Sequence, residues 1–162
     1  MPELFPWFLF AHILGAIVAF GPSFVFPLIG GMGSKEPMHA NFGVRVSLAI
    51  TQKVVLPLVV LQGITGIGLV WAASIDVLAA RWLGLSIVLY AIALAFAILV
   101  QIPSVSRVVA ITTMPAGGPP PGRPAGPPPG LPEAVRRVQM GGTLLTVLIV
   151  SLVFLMVVKP SF

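Results

Sequence analysis

Four long runs of this chain are almost purely apolar, and charge is confined to the gaps between them. They cover about residues 4–29, 54–73, 83–102 and 140–158. A helix rises about 1.5 Å per residue, so about 20 apolar residues cross the hydrocarbon of a bilayer. Each run reaches or approaches that length. Backbone in lipid must satisfy its own polar groups, and helices do so within a single segment. The predicted fold is all-α: a four-helix transmembrane bundle, one integral membrane domain over residues 1–162. Composition agrees, because 57% hydrophobic and 8% charged residues lie outside the range of a soluble domain. The net charge of +5 does not point to nucleic acid. Its cations flank apolar runs and form no basic patch, so the partner the sequence demands is the lipid bilayer. Without cysteine there is no disulfide, thiolate nucleophile or thiolate metal site.

The N-terminus lacks the positive n-region of a signal peptide. No Lys or Arg precedes Lys35, and the first apolar run is too long, so a retained helix is expected. Orientation follows from the basic residues of each loop. Lys35, Arg45 and Lys53 lie in the first loop, and Arg107, Arg123, Arg136 and Arg137 in the third. Only Arg81 and Lys159 fall on the other side. This places loops one and three in the cytoplasm and both termini outside. Trp7, Trp71 and Trp82 then form an outer aromatic belt.

The loops differ in kind. Residues 74–82 make a tight outer turn, which predicts antiparallel neighbours for spans two and three. The first loop opens with Gly30, Gly31 and Gly33, expected to release the chain from the helix. It then carries Met38, Phe42, Val46 and Ile50 at four-residue spacing. Such a helix either lies along the interface or extends span two. Residues 104–107 read as a short continuation of span three. Beyond them, fourteen of the eighteen residues from 115 to 132 are Pro or Gly, a composition that supports neither helix nor sheet and predicts a disordered tether. Pro132 and Glu133 suit a helix's first turn. Two hairpins, each with a basic loop, have the layout of a twofold duplication, although the halves share no clear residue identity.

Polar residues inside the membrane are the candidate functional groups. His12 sits about 12 Å into the first helix, beside the small residues Gly15, Ala16 and Ala19. A neutral imidazole there can ligate haem or another metal, relay a proton, or bond Gln62, Tyr90 or a freed carbonyl. The only other histidine, His39, lies in a cytoplasmic loop, so bis-His haem ligation within one subunit is not expected. Span two holds Pro57, expected to bend it, then Gln62, Thr65 and the glycines 63, 66 and 68. Small and amide-bearing residues of this kind serve as packing surface and interhelical glue, or line a solute path. Span three offers Ser86, Tyr90 and, toward its cytoplasmic end, Gln101. His12, Gln62, Thr65 and Tyr90 are the candidates for one polar cluster. Thr143, Thr146 and Ser151 in span four can bond back to their own helix. No Asp, Glu, Lys or Arg lies deep in any span, and no nucleophilic triad, P-loop or HExxH is present, which argues against conventional catalysis.

Three segments carry a family resemblance: Phe10-Ala11-His12-Ile13-Leu14-Gly15-Ala16-Ile17, the basic loop into Pro57, and Arg136-Arg137-Val138-Gln139-Met140-Gly141-Gly142. Together they resemble the domain-of-unknown-function 2269 family of predicted bacterial integral membrane proteins. That resemblance implies four membrane helices and a bacterial cytoplasmic membrane, and brings no established activity. A looser similarity runs to copper-resistance D and HemJ-type membrane proteins, in which intramembrane histidines serve haem. The leading expectation is a non-enzymatic membrane protein that self-associates or serves a larger membrane complex. The alternatives are a haem- or metal-binding redox protein using His12, and a small-solute transporter.

Overall fold

The computed structural model describes residues 2–77, 79–113 and 126–161, and among these the regular structure is helical throughout. A short 3₁₀ turn, Pro2–Leu4, leads into α1, Phe5–Lys35. After a one-residue break at Glu36 come α2 (Pro37–Ile50), a π-helical turn (Thr51–Val55) and α3 (Leu56–Ala72), forming one rod. The third rod repeats that plan with α4 (Arg81–Phe96), a π-helical turn (Ala97–Gln101) and α5 (Ile102–Thr112). The fourth is α6, Leu131–Val158.

With the second counted from Met38, these rods hold 31, 35, 32 and 28 residues. At about 1.5 Å per residue each exceeds the roughly 30 Å of hydrocarbon, so the bundle projects beyond the bilayer. The projection is greatest at the end holding α2 and α5. Of the two readings open for residues 38–50, extension of span two is the observed one.

α1 does not stop at its glycines. It passes through Gly30, Gly31 and Gly33 and ends at Lys35, so the expected release of the chain there is corrected. The physical reason is close packing after the turn. A Cβ on Gly33 would lie 3.3 Å from the Ala40 Cα, and one on Gly43 would lie 3.0 Å from Ile29 Cγ2. Glycine at these positions lets α2 fold back against α1, and each helical backbone stays hydrogen-bonded. Pro22 and Pro27 likewise lie inside the continuous α1.

Both π-helical turns have the same cause. Pro57 and Pro103 each lack an N–H, and a proline ring crowds the carbonyl four residues earlier. Those carbonyls belong to Lys53 and Leu99, in the middle of the two widened turns. Widening to a longer hydrogen-bond step relieves the crowding without ending the rod.

The backbones approach most closely between α1 and α3, α1 and α2, and α6 with α4 and α5. The α2 and α5 extensions also pack together. Their clasp is Asn41, whose amide donates to Thr112 Oγ1 at 2.8 Å and to the Val109 carbonyl and Thr113 Oγ1 at 3.3 Å. α3 and α4 follow each other through the short turn but make no comparable backbone approach. Between them, Tyr90 on α4 reaches α3, where its hydroxyl donates to the Val59 carbonyl.

At one end lie Glu3, Asp76, Arg81 and Lys159, with Trp7, Trp71 and Trp82. The Lys159 ammonium stands 5.5 Å from the Trp82 ring centre, within cation–π range. At the other end lie Lys35, Arg45, Lys53, Arg107, Arg136 and Arg137. Arg123 and most of the Pro/Gly-rich segment, residues 114–125, fall outside the described residues. α6 begins just beyond, after Gly130 in a left-handed conformation (φ +78°), with Pro132 and Glu133 in its first turn.

Candidate functional site

The polar groups of spans one and two meet along one seam between α1 and α3. The helices run antiparallel, so positions pair in descending order: Phe8 with Gly68, His12 with Thr65 and Gly66, and Gly15 with Gln62. Each contact sets a large side chain against a residue with little or no side chain. A Cβ on Gly68 would sit 2.5 Å from the Phe8 ring, and one on Gly66 would sit 3.3 Å from His12 Cε1. On the other flank of α3, a Cβ on Gly63 would fall 2.7 Å from the Tyr90 hydroxyl. The glycines of span two are therefore sockets, and a different neighbour fills each.

His12 Nδ1 lies 2.9 Å from Thr65 Oγ1. Thr65 is buried, and its hydroxyl also stands 3.0 Å from the Leu61 carbonyl and 3.1 Å from that of Gln62. A threonine hydroxyl has a single hydrogen to donate. If that hydrogen goes to its own helix, the oxygen accepts from Nδ1–H, and Nε2 keeps the ring's lone pair. This assignment serves both Nδ1 and the Thr65 hydroxyl with one tautomer.

Gln62 is also buried, and its Oε1 meets no N–H or O–H donor among the described residues. It faces Gly15 instead: a Cβ there would come within 2.7 Å of it. The missing side chain at Gly15 is what makes room for the amide oxygen. The second hairpin repeats the device. Gln101 Nε2 donates to the Val138 carbonyl at 3.1 Å, and its Oε1, also lacking a conventional donor, presses on Gly141.

Tyr90 stands apart from His12. Its hydroxyl donates to the Val59 carbonyl at 2.8 Å, a turn before Gly63 on α3. The four candidates thus divide into a linked pair, His12 and Thr65, with Gln62 on the adjoining turn and Tyr90 on the other flank. The imidazole's side-chain partner is Thr65, and the Tyr90 hydroxyl bonds Val59 instead. Among the described residues, no three His, Cys, Asp or Glu side chains gather as a metal set. His39 lies at the opposite end of the bundle, 3.3 Å from Glu36 on an exposed surface. Thr143 and Thr146 bond back to the carbonyls of Gln139 and Gly142.

Asn41 went unnoticed in the sequence because its acceptors lie on α5, about seventy residues away. The Gln101–Gly141 contact was half visible: both residues stood out, but nothing linked them.

Four long apolar helices, joined through polar side chains and glycine sockets, define a multi-pass integral membrane protein. The chain belongs to the DUF2269 family of predicted integral membrane proteins, whose profile matches residues 7–160. Neither a curated protein nor a solved structure matches it.

Proposed function

We propose that this is a non-enzymatic membrane protein, a rigid scaffold that associates with itself or with a larger membrane complex. The filled sockets of α3 carry this reading. Phe8, His12 and Tyr90 occupy the faces of Gly68, Gly66 and Gly63, so the small residues of span two are used for packing. Hydrophobic burial does not drive helix association in lipid, where close packing and interhelical hydrogen bonds take its place. Large apolar side chains such as Ile17, Leu28, Ile67, Leu99 and Val157 project outward and suit lipid or further helices. The cation-rich α2/α5 end fits the cytoplasmic side, and the Trp-bearing end with both termini fits the outside. The setting proposed is a bacterial cytoplasmic membrane, following the family resemblance. Cross-linking and light scattering of the protein extracted in mild detergent test the association. A monomer that co-purifies with no other chain would overturn it.

A second reading rests on the ring geometry. Anchoring Nδ1–H on Thr65 is how a ligating histidine is held, with Nε2 left for a metal. Haem ligation by His12 then requires its second ligand from a methionine or another subunit, because the Tyr90 hydroxyl is committed to Val59. An absorption spectrum, oxidised and then reduced, of wild type beside His12→Gln tests it. A Soret band lost in the variant supports ligation. A colourless protein made with ample haem rejects it, and the scaffold reading stands.

A further inference from the structure

The second hairpin carries an open cleft of about 510 Å³ between span three and α6, within the roughly 300–1,000 Å³ of small-ligand sites. Its walls are apolar: Phe96 and Val100 on one side, Met140 and Leu144 on the other, with Gly141 between. Its mouth is charged, and Arg136, Arg137 and Glu133 line it from the first turns of α6. Among the described residues neither guanidinium is paired with a carboxylate.

Depth identifies the surroundings. The twenty-one residues Val138–Val158 contain no charge, and at about 1.5 Å each they match the roughly 30 Å hydrocarbon core. Arg137 therefore stands where hydrocarbon gives way to lipid phosphate, with the apolar walls descending below it. Glu133 lies further out, three and four residues before the two arginines. Side chains so spaced on a helix are neighbours, about 5–6 Å apart at Cβ.

We infer that this cleft binds a phospholipid with a primary-amine headgroup, of the phosphatidylethanolamine class. Its phosphate sits on Arg136 and Arg137, its ammonium on Glu133, and one acyl chain along Phe96, Val100, Met140 and Leu144. Arginine forks suit phosphate oxygens, and a carboxylate accepts hydrogen bonds from a primary ammonium but none from a trimethylammonium. The two-carbon ethanolamine link sets about the separation that three or four helical residues provide. A purely anionic lipid would meet the same two arginines but would leave Glu133 as a repulsive neighbour. A second open cleft, lined by Leu85, Leu89, Val150 and Phe154, has no charged residue and serves as the internal contrast.

The test is native mass spectrometry of the intact protein, released from micelles holding equal amounts of dioleoyl phosphatidylethanolamine, phosphatidylglycerol and phosphatidylcholine. Wild type should retain the ethanolamine lipid several-fold over both others. Arg136→Gln with Arg137→Gln should abolish that preference. Glu133→Gln should reverse it, bringing phosphatidylglycerol above phosphatidylethanolamine, and Leu144→Trp should lower retention of all three by filling the cleft. Equal retention of the three lipids by wild type would overturn the inference. So would a phosphatidylglycerol preference that Glu133→Gln leaves unchanged, since that describes a simple cationic surface. Glu133 is exposed at a helix start, so its variant keeps the test decisive even where the double arginine variant fails to fold.

Discussion

The two hairpins solve the same problem with different materials. The α1/α3 seam is polar and glycine-notched, with His12 on Thr65 and Gln62 against Gly15. The α4–α6 hairpin is mostly aliphatic, with Leu83, Ile149, Leu152 and Leu155 buried and Gln101 as an interhelical amide. Both press a glutamine oxygen onto a glycine Cα, but at different depths. Gln62 lies well inside span two, whereas Gln101 lies in the π-helical turn near the charged end. In lipid the first seam gains from hydrogen bonds and close backbone approach, and the second from dispersion between interlocking aliphatic chains. The lesson is that glycine in these helices marks a contact, and a neighbour's side chain decides its use.

Four experiments break or sharpen that contrast, each read as thermal or denaturant unfolding in a fixed detergent. Gly68→Leu should have the largest effect, about 1–3 kcal/mol of destabilisation, since the new side chain must displace the Phe8 ring. An unchanged midpoint would mean that the seam is loose at that end. Gly141→Ala comes next. The methyl must evict a flexible amide and with it the bond to Val138, a loss of about 0.5–1.5 kcal/mol.

A double-mutant cycle of His12→Ala and Thr65→Val should give a coupling of about 0.6 kcal/mol, and no more than about 1.7. Zero coupling would remove the pair as the seam's polar link. Gln62→Met should matter least, below about 0.5 kcal/mol, because its oxygen has no conventional donor to lose. A larger cost for Gln62→Met than for Gly141→Ala would show that Oε1 has a partner in the membrane, and the comparison of the hairpins would invert.

The solvent, the helix count and the cationic end were all legible in the chain, because a bilayer imposes a length and a polarity on any segment that crosses it. Runs of about 20 apolar residues flanked by Lys and Arg leave few alternatives. The ends of the helices were not legible. Hydropathy reports the hydrocarbon boundary, whereas helices continue until packing or a break stops them, as α1 does past Gly33 to Lys35. The candidate residues of the seam could be named, since an intramembrane histidine or glutamine is costly enough to stand out. Their partners could not. Whether His12 meets Thr65 or Tyr90 depends on the rotation and register of two helices about fifty residues apart in sequence, and one helical position changes the answer by about 100°. The pairing of Gln101 with Gly141, the clasp at Asn41 and the charged mouth of the α6 cleft belong to that same class. Each is made by residues whose patterns are local but whose contacts are not, so only the tertiary structure could decide them.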